Sequence, residues 1–470
     1  MKKDLTRGSI TAALCSFAAP MILGNLLQQA YNLGDTLVVG RCLGDNALAA
    51  VGSTYTLTTF IYSIIIGLCM GAGSLVSYYG GKKDPRKLAD VMSLSLLMIG
   101  ATAVIIELAA LAFRPQILRL LKTPTEIMSL TSDYVRIILI GICFIFLYNY
   151  YSFMLRGLGD SVTPLVFLGI SSAVNILLDI LFVAKFSMGI KGAAWATLIS
   201  QALAGAGLAV FSLVRENSLR PQFSRCLLSR SLFGEVTRMS SAACVQQSVM
   251  NFGILMIQGL VNSFGTSVMA AFTVAVKIDT IAYMPAQEFG SAFSLFISQN
   301  FGAREGGRIR RCVKSSMALT AGFCAAISIA VNIFAAQFMQ IFSKGGEVVQ
   351  IGVRYLRIEG AFYVGIGVLF LLYGYFRGVN RPEMSLLLTV ISLGTRVILA
   401  YAISPSVGVE TVFRVGLNRH IVHLREAVDV RNVLAAVVTR KRRENRVGRY
   451  AGAFGLRRVD AYDVLREVDV

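Results

Sequence analysis

The sequence predicts an all-α integral membrane protein of two pseudo-symmetric six-helix bundles, with eleven spans evident and the twelfth missing or replaced. Three observations predict this. Hydrophobic residues make up 55% of the 470-residue chain and charged residues only 15%, with a mean hydropathy of +0.65, too apolar for a soluble globular domain. The apolar residues gather into runs of the roughly 20 residues a helix needs to cross a bilayer. The chain also repeats itself at a fixed spacing of 221 residues. Tyr134 and Arg136 recur as Tyr355 and Arg357, Arg156-Gly157 as Arg377-Gly378, Gly44, Ala49 and Ala50 as Gly265, Ala270 and Ala271, and Ser77 and Gly81 as Ser298 and Gly302. A duplicated helical unit is the usual build of a secondary transporter, with the substrate path between the copies.

The spans are expected at about 12–40, 48–79, 91–113, 130–155, 163–184, 192–213, 240–261, 268–299, 315–342, 352–376 and 384–403. The first runs on through Tyr31 and Asp35 with no small-residue cleavage site, so it reads as a span rather than a signal peptide. Its Pro20 should kink it. The second and eighth are long enough to tilt or to extend beyond the bilayer, and Gly67, Gly71 and Gly73 in the second read as close-packing positions. In the fourth, Tyr148, Tyr150, Tyr151 and Phe153 are either cavity walls for flat cations or an interfacial belt. The chain divides into an N-terminal lobe at 1–214, a linker at 215–239, a C-terminal lobe at 240–410 and a tail at 411–470.

Lys and Arg set the orientation. With the N-terminus inside, twenty of them fall in inner segments, among them Lys82, Lys83, Arg156, Arg304, Arg308 and Arg377, against seven in outer loops. The expectation is therefore a multi-pass plasma-membrane protein with a cytoplasmic N-terminus. Its net charge of +19 faces an anionic leaflet and needs no nucleic acid. The eight cysteines show no metal-ligand spacing and read as small packing residues.

From about Thr411 the character changes. The tail is Arg-rich, holds both histidines of the chain, His420 and His423, and contains no spanning run. The second repeat stops matching after Gly408-Val409-Glu410, where the first goes on to a sixth helix. Odd parity would put this basic tail outside, against the charge rule. The tail is read as frame-shifted or mis-joined, with a basic disordered tail as the alternative.

An ionisable side chain inside a membrane helix costs roughly 2.5–3.5 kcal/mol on insertion scales, so it usually has a role. The first repeat offers Asp35 and Asp179. Asn175 lies four residues before Asp179, on the same helix face, and Thr197 and Tyr31 complete an oxygen-rich set. Two carboxylates, an amide and a hydroxyl suit a shared proton or a hard cation such as Na⁺. At the repeat spacing Asn175 maps to Arg396 and Asp179 to Ala400, so the fold is doubled but the acidic set is not. Taken singly, Asp35 also reads as an interfacial helix-end residue and Asp179 as an acid near Lys185. In the second repeat, Glu288 follows Pro285, which is expected to break the helix. Glu288 either attracts a cationic substrate, with Gln287 and Tyr151 in the same cavity, or is neutralised or paired with Lys277.

Ala19-Pro20-Met21, Tyr31-Asn32-Leu33-Gly34-Asp35, Val39-Gly40-Arg41 and Leu48-Ala49-Ala50-Val51-Gly52 resemble the first helix pair of the multidrug and toxic compound extrusion (MATE) family. Leu155-Arg156-Gly157-Leu158-Gly159-Asp160 before Thr163-Pro164, and Asn175-Ile176-Leu177-Leu178-Asp179, are similar to its fourth and fifth helices. Ser298-Gln299-Asn300-Phe301-Gly302-Ala303 is similar to the end of its eighth. The match runs over about residues 5–410. It implies a twelve-helix antiporter that exports lipophilic, often cationic compounds in exchange for H⁺ or Na⁺. Asp35, Asn175 and Asp179 would hold the coupling ion (as Na⁺ ligands if sodium-coupled), with Thr197 and Tyr31 completing the coupling set, and Pro20 would bend helix 1. Some members use a Glu in helix 7, whereas Ser240–Val261 has no acid. The expected partners are small-molecule drugs or organic cations and the lipid bilayer, with no cofactor beyond the ion, and the expected state is a monomer. The alternative is a flippase of lipid-linked oligosaccharide in the same wider superfamily, using Arg136, Arg354, Arg357 and Arg396 on a diphosphate. Residues 1–410 have no His and no nucleophile-base constellation, so the chain reads as a transporter and not an enzyme.

Overall fold

A chain in hydrocarbon must satisfy its own backbone N–H and C=O groups, and the helix does so within each segment. The computed structural model describes residues 4–121, 123–216, 219–222, 229–342 and 345–407, all within one structural unit. The N-terminal lobe holds α1 (Ile10–Leu43), α2 (Asp45–Lys82), α3 (Pro85–Ala112), α4 (Arg114–Leu120), α5 (Thr125–Ile140), α6 (Ile142–Gly157), α7 (Val162–Asp179) with a π turn at Ile180–Lys185, and α8 (Gly189–Arg215). The C-terminal lobe holds α9 (Arg230–Asn262), α10 (Thr266–Gly302), α11 (Gly306–Phe342), α12 (Gly346–Gly360), α13 (Tyr363–Gly378) and α14 (Pro382–Val407). Among the described residues nine helices are long and apolar enough to cross a bilayer, and eleven spans result when α5–α6 and α12–α13 each count as one. Exposed apolar side chains such as Ile105, Leu108, Val210, Ile333 and Ile398 stand on outward faces, the surface a bilayer would cover. The expectations for 411–470 lie outside the described residues.

Three element expectations need correction. Spans four and ten are not continuous but bend by 42° and 52°. At both breaks the ladder tightens to an i→i−3 bond, Gly141 N to Ile138 O and Phe362 N to Glu359 O, each at 3.0 Å. Pro285 does not break its helix: α10 runs through it from Thr266 to Gly302. A proline forfeits only local bonds, and α13 holds α10 on both sides of it, Phe370 packing on Tyr283 and on Gly290. The segment expected as linker becomes helical at Arg230, because the Ser229 hydroxyl caps the Leu232 N–H at 3.3 Å.

The repeat extends to the turns. Gly44 (φ 81°) and Gly265 (φ 100°) separate the first helix pair of each lobe in the left-handed region that glycine tolerates best. The repeat pairs Lys83 with Arg304 and Gly159 with Asn380 also take positive φ.

The lobes meet along α2 and α10. α9 packs on α2, where Gly67 and Gly71 let the backbone around Cys244 and Met239 come in, as expected of close-packing glycines. At the end carrying Lys82 and Arg304 the contact is reciprocal. Ser77 Oγ donates to Leu295 O at 2.8 Å and Ser298 Oγ to Ser74 O at 2.6 Å. A Cβ at Gly81 would strike Gln299 O, and one at Gly302 would strike Tyr78 O. Each partner is the repeat mate of the other's partner. The N-terminal segment reinforces this end: the buried Arg308 guanidinium donates to the carbonyls of Leu5, Arg7 and Gly8.

Candidate cation cluster and substrate cavity

Three helices of the N-terminal lobe bring the expected residues together. α1 carries Tyr31 and Asp35 one turn apart, α7 carries Asn175 and Asp179, and α8 carries Thr197. Asp35 is 8% exposed, and Asn175 and Asp179 are fully buried, so all three are enclosed by the protein. Asp35 and Asp179 face each other electrostatically. Tyr31 faces both acids and Thr197. Asp179 is the last α-helical residue before the π turn, a local widening that often marks functional sites.

Burial should leave such groups hydrogen-bonded, yet here it does not. Asp35 Oδ1, both carboxylate oxygens of Asp179, Asn175 Oδ1 and Thr197 Oγ1 have no hydrogen-bond partner among the described residues. Their chemistry, anionic and neutral oxygen without sulfur or imidazole, fits a proton or a hard cation. Among the described residues no group of three His, Cys, Asp or Glu is placed to bind a metal ion. One cluster member was missed, Tyr134 on α5, which faces Asp35 and Asp179; next to it, Tyr62 on α2 faces Tyr31 and Tyr134 and meets Gln201 on α8. Tyr134 carried one sequence signal, its recurrence as Tyr355 at the repeat spacing. Tyr62 and Gln201 carried no signal beyond being polar in apolar helices.

Between the lobes lies a cavity of about 210 Å³, walled by α1, α2, α6, α7, α9, α10 and α13. Gln287 and Glu288 line it, as expected. Tyr151 does not: it is 2% exposed and packs edge-on against Tyr150, while its neighbour Tyr148 faces the cavity. The stripe of α6 on the cavity is Tyr148, Asn149, Ser152, Phe153 and Arg156; at 3.6 residues per turn Tyr151 lies about 60° from Tyr148 on the side away from that stripe, which the sequence cluster of aromatics could not show. Glu288 is not paired with Lys277, which is exposed. It accepts a hydrogen bond from Asn25 Nδ2 at 2.9 Å, linking α10 to α1 across the lobe boundary. The repeat mates Arg156 and Arg377 also line the cavity and face Glu288. Arg377 Nε donates to Ser294 Oγ at 3.1 Å. α1 thus carries Met21, Asn25 and Gln28 on the cavity wall and Asp35 in the ion cluster, about 15 Å apart at 1.5 Å per residue from Asn25. It runs through Pro20 without interruption.

Comparison with known proteins agrees with this architecture. The MatE family model matches residues 20–181 and 242–402, one segment in each repeat. "Probable multidrug resistance protein YpnP" of Bacillus subtilis is 30% identical over 398 residues, covering 83% of this chain and 87% of that protein. A multidrug resistance MATE family transporter in an outward-facing conformation superposes with a TM-score of 0.86 at 24% identity, covering 92% of this chain and 98% of that one. A MOP superfamily transporter from Pyrococcus furiosus does so with a TM-score of 0.85 at 23% identity, covering 92% and 98%. The chain therefore belongs to the MatE family and is a multi-span membrane transporter of the multidrug and toxic compound extrusion type.

Proposed function

We propose that this transporter is an antiporter that exports lipophilic, often cationic compounds in exchange for H⁺ or Na⁺, acting as a monomer in the plasma membrane with a cytoplasmic N-terminus. The observation that carries the reading is the set of five buried oxygens without partners on Asp35, Asn175, Asp179 and Thr197. Two facing carboxylates without a counter-charge are costly in a low-dielectric interior, so a cation bound there stabilises the lobe. α1 links that event to cargo. Occupancy draws Asp35 toward α7, and Asn25 and Gln28 on the same helix move with it. The Asn25–Glu288 bond that joins the lobes then becomes sensitive to the ion. Antiport follows if ion and cargo favour different states.

The lobes make their reciprocal serine and glycine contacts at the end that charge bias assigns to the cytoplasm, which supports a cavity open to the outside in this state. Dye transport in proteoliposomes under separate proton and sodium gradients tests the proposal. Efflux driven by one gradient and abolished by Asp35→Asn supports it, whereas efflux indifferent to both gradients rules it out.

The flippase reading has one observation in its favour, the pair Arg156 and Arg377 on the cavity wall. The arginines first considered for it do not serve. Arg136, Arg354 and Arg357 are exposed, and Arg396 is bonded to Glu359.

A further inference from the structure

The C-terminal lobe contains a second buried charged chamber, built on the same plan but filled differently. Arg396 on α14 occupies the repeat position of Asn175, and Ala400 that of Asp179. Tyr355, the repeat mate of Tyr134, is 3% exposed and faces Glu359, Asp279 and Arg396, just as Tyr134 faces Asp35 and Asp179. The two carboxylates come from other helices, Asp279 on α10 and Glu359 on α12. Arg396 Nη2 donates to Glu359 Oε1 at 2.8 Å, with side chains 13% and 3% exposed. Tyr363, 1% exposed, turns its hydroxyl to Asp279.

We propose that this chamber is a latent univalent-cation site of the C-terminal lobe whose permanent occupant is the guanidinium of Arg396. Arg396 is then the residue that confines ion coupling to the N-terminal lobe. Each chamber buries two carboxylates, and a buried pair needs a counter-charge. In the N-terminal lobe the counter-charge comes from solution and leaves again. In the C-terminal lobe it is tethered to α14, and a tethered ligand acts at an effective concentration that a dissolved ion at millimolar level does not match. Guanidinium remains charged at any physiological pH, so the site neither loads nor empties during transport. The inference rests on reading the Asp35–Asp179 cluster as the coupling site, and the test separates the two.

The experiment measures ²²Na⁺ binding and the Na⁺ dependence of the unfolding midpoint on the full-length purified chain, with choline replacing Na⁺ at constant ionic strength. With Asp35→Asn and Asp179→Asn together, no Na⁺ binding is expected. Adding Arg396→Gln to that chain is expected to create binding of one Na⁺ and a Na⁺-dependent midpoint. Adding Glu359→Gln as well is expected to abolish both. Arg396→Lys, which keeps a tethered charge, is expected to leave the chain silent to Na⁺ and guards against a glutamine variant that fails to fold. Na⁺ binding by the doubly neutralised chain with Arg396 intact, a folded Arg396→Gln chain without it, or Na⁺ binding by the lysine variant would each overturn the proposal. A failure of the N-terminal reading shows separately, as identical ion-driven transport in the wild type and the doubly neutralised chain.

Discussion

Ser298 donates its hydroxyl proton to the carbonyl of Ser74 at 2.6 Å, and the repeat image of that bond, Ser77 to Leu295 at 2.8 Å, lies beside it. Both serines are fully buried. The local two-fold makes the contact between α2 and α10 self-complementary, so separating the lobes at this end breaks both bonds together. Ser77→Ala with Ser298→Ala should cost the closed arrangement about 1–3 kcal/mol at roughly 0.5–1.5 per bond. Gly302→Ala should do more, since its Cβ meets the Tyr78 carbonyl. Spin labels at Lys82 and Glu305 should report a new, longer distance population in both variants. An unchanged distribution in Gly302→Ala would contradict a contact this tight.

Asp179→Asn should abolish ion-coupled efflux while raising thermal stability. Removing one of two facing buried charges relieves a penalty of about 1–3 kcal/mol for an unpaired buried group. Cells expressing the variant should lose drug resistance while the purified protein melts later. A variant that is inactive and also less stable would mark Asp179 as a structural acid.

Glu288→Gln should weaken binding of cationic compounds without impairing folding, because the amide keeps an acceptor for Asn25 but removes the charge facing Arg156 and Arg377. About a tenfold rise in KM, roughly 1.4 kcal/mol, is expected for a cationic dye, with little change for a neutral one. Equal effects on both dyes would point to a purely structural link.

Asp160 lies in the turn before α7, outside the spans. Burial pushes its carboxyl up, but hydrogen bonds from the Thr163 backbone and hydroxyl outweigh this and hold it below the usual value. A depressed folded-state value means that the stabilisation is complete above the unfolded value of about 3.9 and is lost as pH falls through the folded one. Asp160→Ala should lower stability by about 0.5–2 kcal/mol at neutral pH and flatten the decline on acidification. Melting curves between about pH 6 and pH 3 check both slopes.

Arg308→Ala should free the N-terminal segment. The guanidinium satisfies the carbonyls of Leu5, Arg7 and Gly8 and is 8% exposed. Charge-assisted hydrogen bonds contribute about 1.5–3 kcal/mol each where the groups are buried. Faster proteolysis between Asp4 and Ser9 in the variant, with no change elsewhere, is the expected signature.

By itself the sequence determined the membrane class, the span count of eleven and the two-fold repeat, because each rests on composition or on spacing along the chain. It also picked out Asp35, Asn175, Asp179, Thr197 and Tyr31, since polar atoms in apolar helices stand out wherever they sit. Only the tertiary structure decided what those groups meet. Tyr134 on α5 faces the acids, Tyr148 rather than Tyr151 reaches the cavity, and Glu288 bonds Asn25 on the far lobe rather than Lys277 on its own helix. The bends at Gly141 and Ala361–Phe362 were invisible for the same reason. Hydropathy measures transfer of a segment into lipid and is blind to rotation about the helix axis, and it is rotation and helix crossing that choose a side chain's neighbours.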